Sequence, residues 1–110
     1  MFFNMAIPVE EGYLIADYQD VIRCTADGNY TELYLRDGRC VRLNKQLKAL
    51  EEMLPKTFFF RVHQSHLVNL DHVEMWLARE KNALCLSDGS EVQVARTRRK
   101  ELINRVQFIK

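Results

Sequence analysis

Glycine and proline are scarce in this 110-residue chain, at four and two residues. No Pro/Gly-rich linker, low-complexity tract or internal repeat divides it, so a chain of this length is expected to form a single domain, 1–110. Cysteine is equally sparse. Cys24, Cys40 and Cys85 are odd in number and far apart, which excludes a disulfide framework and a paired-cysteine zinc site. Each sits among apolar residues in a strand-like stretch, where a buried free thiol is expected. Free thiols fit a reducing, cytoplasmic setting. No apolar run approaches the length of a membrane span. The start, Met1-Phe2-Phe3-Asn4-Met5-Ala6-Ile7-Pro8, has no basic leader and no long apolar stretch, and is not read as a secretory signal.

An excess of one charge is missing too, since 16 Lys and Arg against 15 Asp and Glu leave a formal charge of +1. That excludes a polycationic, histone-like chain. The charge is nevertheless unevenly placed. Residues 1–20 hold Glu10, Glu11, Asp17 and Asp20 with no Lys or Arg. Residues 96–110 hold Arg96, Arg98, Arg99, Lys100, Arg105 and Lys110 against Glu101 alone. A near-neutral chain can therefore carry a local basic surface.

What is present is a composition 47% hydrophobic and 28% charged, that of a soluble globular unit. Asp-Gly occurs at 27–28, 37–38 and 88–89, a hairpin signal. A three-residue Arg36-Asp37-Gly38 loop sets Leu33 opposite Val41 and Glu32 opposite Arg42. A two-residue loop would set Leu33 against Arg42, so the longer loop is preferred. The same rule at Ser87-Asp88-Gly89 sets Leu84 opposite Val92. Further strands are expected at 13–15, 21–25, 58–62, 73–77 and 91–95. Asn44 is the expected cap of a short helix near 45–54 that buries Leu47, Leu50 and Leu54 and ends at Pro55. Thr97 is the expected cap of a short helix near 98–106 that buries Leu102, Ile103 and Val106. The chain thus reads as mainly β, with layered antiparallel sheets and little helix.

Three local features carry chemistry. The run Arg96-Thr97-Arg98-Arg99-Lys100 puts cations at a helix start, against the helix dipole. That arrangement suits an anion such as phosphate, with a solvated charged face as the competing reading. In His63-Gln64-Ser65-His66, a polar island stands between Phe-rich and Leu/Val-rich flanks, as in an exposed recognition loop on a packed scaffold. Three histidines, His63, His66 and His72, raise a metal site, although no cysteine lies near them and the spacing is poor for ligation. The third feature is Ala26-Asp27-Gly28-Asn29-Tyr30, a turn whose Asn29 and Tyr30 reach outward, or simply a hairpin tip.

Together these residues resemble the LytTR family, the DNA-binding effector domain of many bacterial response regulators. The similarity runs over residues 7–106. Its most specific stretch is Phe59-Phe60-Arg61-Val62-His63-Gln64-Ser65-His66-Leu67-Val68-Asn69. Support comes from the Asp27-Gly28-Asn29-Tyr30 turn, the Leu47-to-Pro55 segment, and Val94-Ala95-Arg96 with its basic continuation. Ala95 stands where the family often has Ser, and Gln64 where it often has a basic residue.

The resemblance implies an elongated stack of antiparallel sheets and double-stranded DNA contacted by loops in successive major grooves. It implies no enzymatic activity and no cofactor. Carried over, Asn29 and Tyr30 form the first contact loop. The second is the His63–His66 tip, with Gln64 for a base and His63 either facing phosphate or structural. Arg96 is implied for guanine, and Arg98, Arg99 and Lys100 for phosphates. Arg61 is either a phosphate contact or an internal salt-bridge partner, and Asn69 satisfies local backbone groups. The family's usual partners are tandem direct repeats, sometimes a second copy on DNA, and a receiver domain in cis, for which 110 residues leave no room. Two rivals stay open at this point: a β-rich protein- or ligand-binding module, and a small metalloenzyme using His63, His66 and His72.

Overall fold

Consecutive apolar residues at 58–60 and 67–68 cannot alternate in and out of one core, and the architecture shows why. In the computed structural model, which describes residues 4–109, a central sheet is covered on both faces. Residues 1–3 of the amino-terminal stretch and Lys110 of the basic end lie outside the described residues. The central sheet comprises β3 (Val21–Asp27), β4 (Tyr30–Leu35), β5 (Cys40–Leu43), β6 (Phe59–His63) and β7 (His66–Asn69). Its strand order is β5-β4-β3-β7-β6, antiparallel throughout.

One face packs on the hairpin of β1 (Asn4–Val9) and β2 (Gly12–Asp17) and on helix α1 (Leu47–Met53). Ile7, Ala16, Leu33, Leu43, Leu47, Leu50, Phe59 and Leu67 meet there. The other face packs on β8 (Val73–Leu77), β9 (Ala83–Leu86) and β10 (Glu91–Gln93), and on helix α2 (Arg99–Asn104). Phe60, Val62 and Val68 meet Leu84, Leu86, Val92 and Leu102 in this second core. Phe59 and Phe60 therefore serve different cores, as do Leu67 and Val68. A sheet buried on both faces reads as continuous apolar sequence.

Both hairpin registers follow from the side-chain matching. Leu33 pairs Val41 and Glu32 pairs Arg42, while Leu84 pairs Val92. The two turns share one design. Asp37 Oδ1 accepts from the Arg39 N–H at 3.0 Å, and Asp88 Oδ1 accepts from the Ser90 N–H at 3.0 Å. Gly38 and Gly89 take φ of +96° and +84°, backbone that a side chain would strain.

Several expectations are corrected. Helix α1 starts after Gln46 instead of Asn44 and ends at Met53. Lys45 is held outside the helix because its carbonyl accepts the buried Thr31 hydroxyl at 2.7 Å. Thr97 caps nothing: it lies in a 3-10 turn, Arg96–Arg98, and α2 follows directly behind it. In so short a helix only Leu102 is buried, whereas Ile103 and Val106 are exposed. Strand β10 stops at Gln93, short of residue 95.

Strand β1 had no sequence signal. Pro8 falls within it, opposite Tyr13, and is tolerated because a two-stranded sheet consists of edge strands. Of the cysteines, Cys24 is buried, Cys85 partly so, and Cys40 is exposed at the start of β5 instead of buried. Burial pushes the Cys24 thiol up to about 12 against the opposing pull of Arg23, which makes it chemically inert.

Candidate nucleic-acid interface

Two backbone hydrogen bonds gather segments distant in sequence. The Ala26 N–H donates to the Ser65 carbonyl at 2.9 Å, and the Ala95 N–H donates to the Val62 carbonyl at 2.7 Å. The first sets the β6–β7 tip beside the β3–β4 turn. The second delivers Arg96 beside the end of β6. The three segments singled out in the sequence thus share one edge of the molecule.

At the β3–β4 turn, Gly28 has φ of +61°, and Asn29 Oδ1 accepts from Gln46 Nε2 at 3.0 Å. The Arg42 guanidinium lies over the Tyr30 ring, 4.4 Å from its centre. Arg42 also pairs with Asp27 at 2.6 Å. Tyr30 is 40% exposed, so one face of the ring is covered and its edge is open.

The His63–His66 segment is a tight hairpin tip, with Gln64 and Ser65 between the paired His63 and His66. Arg61 organises it from below. Its Nε donates to the His63 carbonyl at 2.9 Å, its Nη2 to the Gln64 carbonyl, and its Nη1 to Glu51 at 2.7 Å. The internal salt bridge open to Arg61 is made, with Glu51. The Ser65 N–H donates to His63 Nδ1 at 3.1 Å. His63 therefore carries any ring proton on Nε2 while that bond is made. Gln64 is exposed, with its side chain free of a partner among the described residues.

His66 lies 5.4 Å from His63, ring centre to ring centre, with Nδ1 3.5 Å from the Thr25 hydroxyl. Burial, then the nearby His63 and Arg23, hold it below its ordinary 6.5. The folded state thus takes up a proton less readily than the unfolded chain. Stability is unaffected well above pH 6.5 and falls as pH drops through that value. Urea midpoints of the wild type are expected to fall between pH 7.5 and 5.5 by more than those of His66→Gln. Equal falls would remove His66 as the source.

The basic end is not uniform. Arg96 and Lys100 are exposed, their side chains without a hydrogen-bond or ion-pair partner among the described residues. Arg98 pairs with Glu101 at 3.2 Å. Arg99 turns inward: its Nη1 donates to the Ala78 carbonyl and to Asn82 Oδ1, each at 3.0 Å, and it lies over Trp76. Asn82 also accepts from the Trp76 indole and donates to the Val94 carbonyl. Neither Asn82 nor Glu51 stood out in the sequence, because each acts through a residue remote along the chain.

The metal reading lacks its geometry. His72 is buried beyond the far end of β7 from His66, bonded to Ser87 and to the Gln19 carbonyl at 2.7 Å each. Among the described residues, no three His, Cys, Asp or Glu side chains converge. No helix among them is long and apolar enough to cross a membrane.

That edge of loops presents an amide, imidazoles and a guanidinium without a side-chain partner among the described residues, on a layered antiparallel scaffold. The LytTr DNA-binding domain family matches residues 11–107, and the chain belongs to that family; it is a DNA-binding domain of the kind used in transcription regulation. The sensory transduction protein LytT of Bacillus cereus is 32% identical over 90% of this chain and 41% of its own length. The heme-containing CO-sensing transcriptional regulator RcoM 1 of Paraburkholderia xenovorans is 32% identical over 84% of this chain and 34% of its own. The chain thus spans less than half the length of either relative. A solved LytTr DNA-binding domain from Bacillus cereus superposes with a TM-score of 0.81 over 96% of this chain and 97% of that one, at 20% identity. That likeness establishes the stacked antiparallel fold.

Proposed function

We propose that this chain binds double-stranded DNA sequence-specifically, with its loops in successive major grooves, as the effector domain of a response regulator or as a standalone regulator in the cytoplasm. The observation that carries the reading is the convergence of the Asn29-Tyr30 turn, the Gln64 tip and Arg96 on one edge. In this reading Gln64 and Asn29 present amides to base edges, and Gln pairs bidentately with adenine. Arg96 suits the two acceptors of guanine. Tyr30, His63 and His66 flank the backbone. Lys100 and Arg98 hold phosphates, Arg98 exchanging an exposed pair with Glu101 that is worth little. Arg99 and Arg61 support the surface from behind. The chain acts without catalysis, its DNA partner being tandem direct repeats on which a second copy sits. A receiver domain in cis would supply the control in a longer protein.

Selection from a random duplex pool tests this directly. An enriched direct repeat is expected, and no enrichment at low salt would overturn the reading. Arg96→Ala is expected to weaken binding to the selected duplex by about 1–3 kcal/mol, the worth of a bidentate base contact. Binding to unrelated DNA should change little. Equal losses on both would move Arg96 to a phosphate.

A further inference from the structure

Helix α1 is tied to both neighbouring tips. Gln46, just before it, donates to Asn29. Glu51, within it, accepts from Arg61, the residue that grips the His63 and Gln64 carbonyls. Between these anchors stands Lys48, exposed and with its side chain free of a hydrogen-bond or ion-pair partner among the described residues. Lys48 and Glu51 are three residues apart and share a helix face. That face lines a groove with Arg61, His63, Gln64, Thr97 and Arg98. Glu51 is paired with Arg61 at 2.7 Å, so Lys48 is left without an ion-pair partner in a groove it shares with His63, Gln64, Thr97 and Arg98, the last paired with Glu101.

We propose that Lys48 is a phosphate-binding residue that seats the DNA backbone in the groove between α1 and the β6–β7 tip. The inference rests on the DNA-binding reading and adds an element to it. A phosphodiester is the ligand such a groove suits: one net anionic charge, met by the Lys48 ammonium, the Thr97 hydroxyl and the Arg98 guanidinium that line it. Because α1 is tied to one tip just before its start and to the other through Glu51, a phosphate on Lys48 is held in register with both tips at once. The lysine thereby positions base contacts that it does not itself make.

The test compares wild type, Lys48→Ala and Arg39→Ala on a selected duplex and on an unrelated duplex across a salt series. Arg39→Ala removes the same charge at the β4–β5 turn. That turn lies at the other end of β4 from Asn29, roughly 20 Å away at a strand rise of about 3.3 Å per residue. Lys48→Ala is expected to cost about three- to tenfold on both duplexes and to flatten the slope of log K against log salt by about 0.9, the signature of one phosphate. Arg39→Ala is expected to leave both unchanged. Alanine is the better helix former, so folding is retained; Lys48→Gln, with an unchanged thermal melt, repeats the test. If Lys48→Ala matches Arg39→Ala while wild type binds the selected duplex, the proposal falls and DNA reading stands. A loss confined to the selected duplex also overturns it, by assigning Lys48 to a base. If wild type selects no sequence, both readings fall together.

Discussion

Arg61→Lys is expected to lower affinity for a selected duplex by about 100-fold, close to 3 kcal/mol, while leaving the salt slope in place. The side chain is only 14% exposed and its donors go to three protein acceptors: two carbonyls of the tip and the Glu51 carboxylate. A guanidinium presents its donors in a planar fork, whereas an ammonium is a compact point charge that cannot span that set. With lysine, the Gln64 carbonyl and Glu51 lose their fixed partner, and the tip no longer holds Gln64 and His63 in one geometry. Base contacts, each worth about 1–3 kcal/mol, then have to order the tip before they form. Charge is conserved, so non-specific binding should stay within about twofold. A phosphate contact predicts the reverse: near-normal affinity for Lys, and for Arg61→Ala a slope flattened by about 0.9 on every duplex.

The two readings of Arg61 illustrate what the sequence could and could not disclose. Its neighbours mark a tip, but its partner Glu51 lies ten residues earlier on a helix whose orientation only the packing of Leu47 and Leu50 decides. Arg98 and Arg99 are adjacent and chemically identical, yet one faces Glu101 and the other Asn82 and Trp76. A run of cations carries no signal for which one turns inward.

Hairpin registers were legible because Asp-Gly turn chemistry and cross-strand matching are local constraints that agree. The bonds that bring the three segments to one edge were not. They are the Ala26–Ser65 and Ala95–Val62 hydrogen bonds between backbone groups, and backbone pairing leaves no residue signature. Helix α1 was placed but its start was not, since the capping preference of Asn44 yields to the grip of Thr31 on Lys45 and of Asn29 on Gln46.

The largest stability effect is expected at Asn69, a fully buried polar residue. Its Nδ2 donates to the Tyr18 and Val21 carbonyls at 3.2 and 3.0 Å, and its Oδ1 accepts from the Asp71 N–H at 3.0 Å. The amide thus ties the entry of β3 to the exit of β7; the resemblance implied local backbone partners, and of the three only Asp71 is local. Asn69→Asp keeps the shape and replaces both donors by an acceptor facing two carbonyl oxygens. A buried unmet polar group costs about 1–3 kcal/mol, more if charged, so a loss of about 3–5 kcal/mol at pH 7 is expected. In a small domain stable by about 5–15 kcal/mol, that is a large share.

The pH dependence gives the sign. Facing carbonyls away from water, the new carboxyl holds its proton above the ordinary value near 3.9. The folded state then binds a proton that the unfolded chain has released, so this contribution rises as pH falls toward that value. His66 resists protonation in both proteins, so its contribution cancels in their difference. The gap in urea midpoints between wild type and Asn69→Asp should therefore narrow from pH 7 to pH 5. It should not close, since a protonated carboxyl offers one donor where the amide offered two. A gap below about 1 kcal/mol at pH 7, or one indifferent to pH, would mean that the Asn69 amide does not hold the β3–β7 junction.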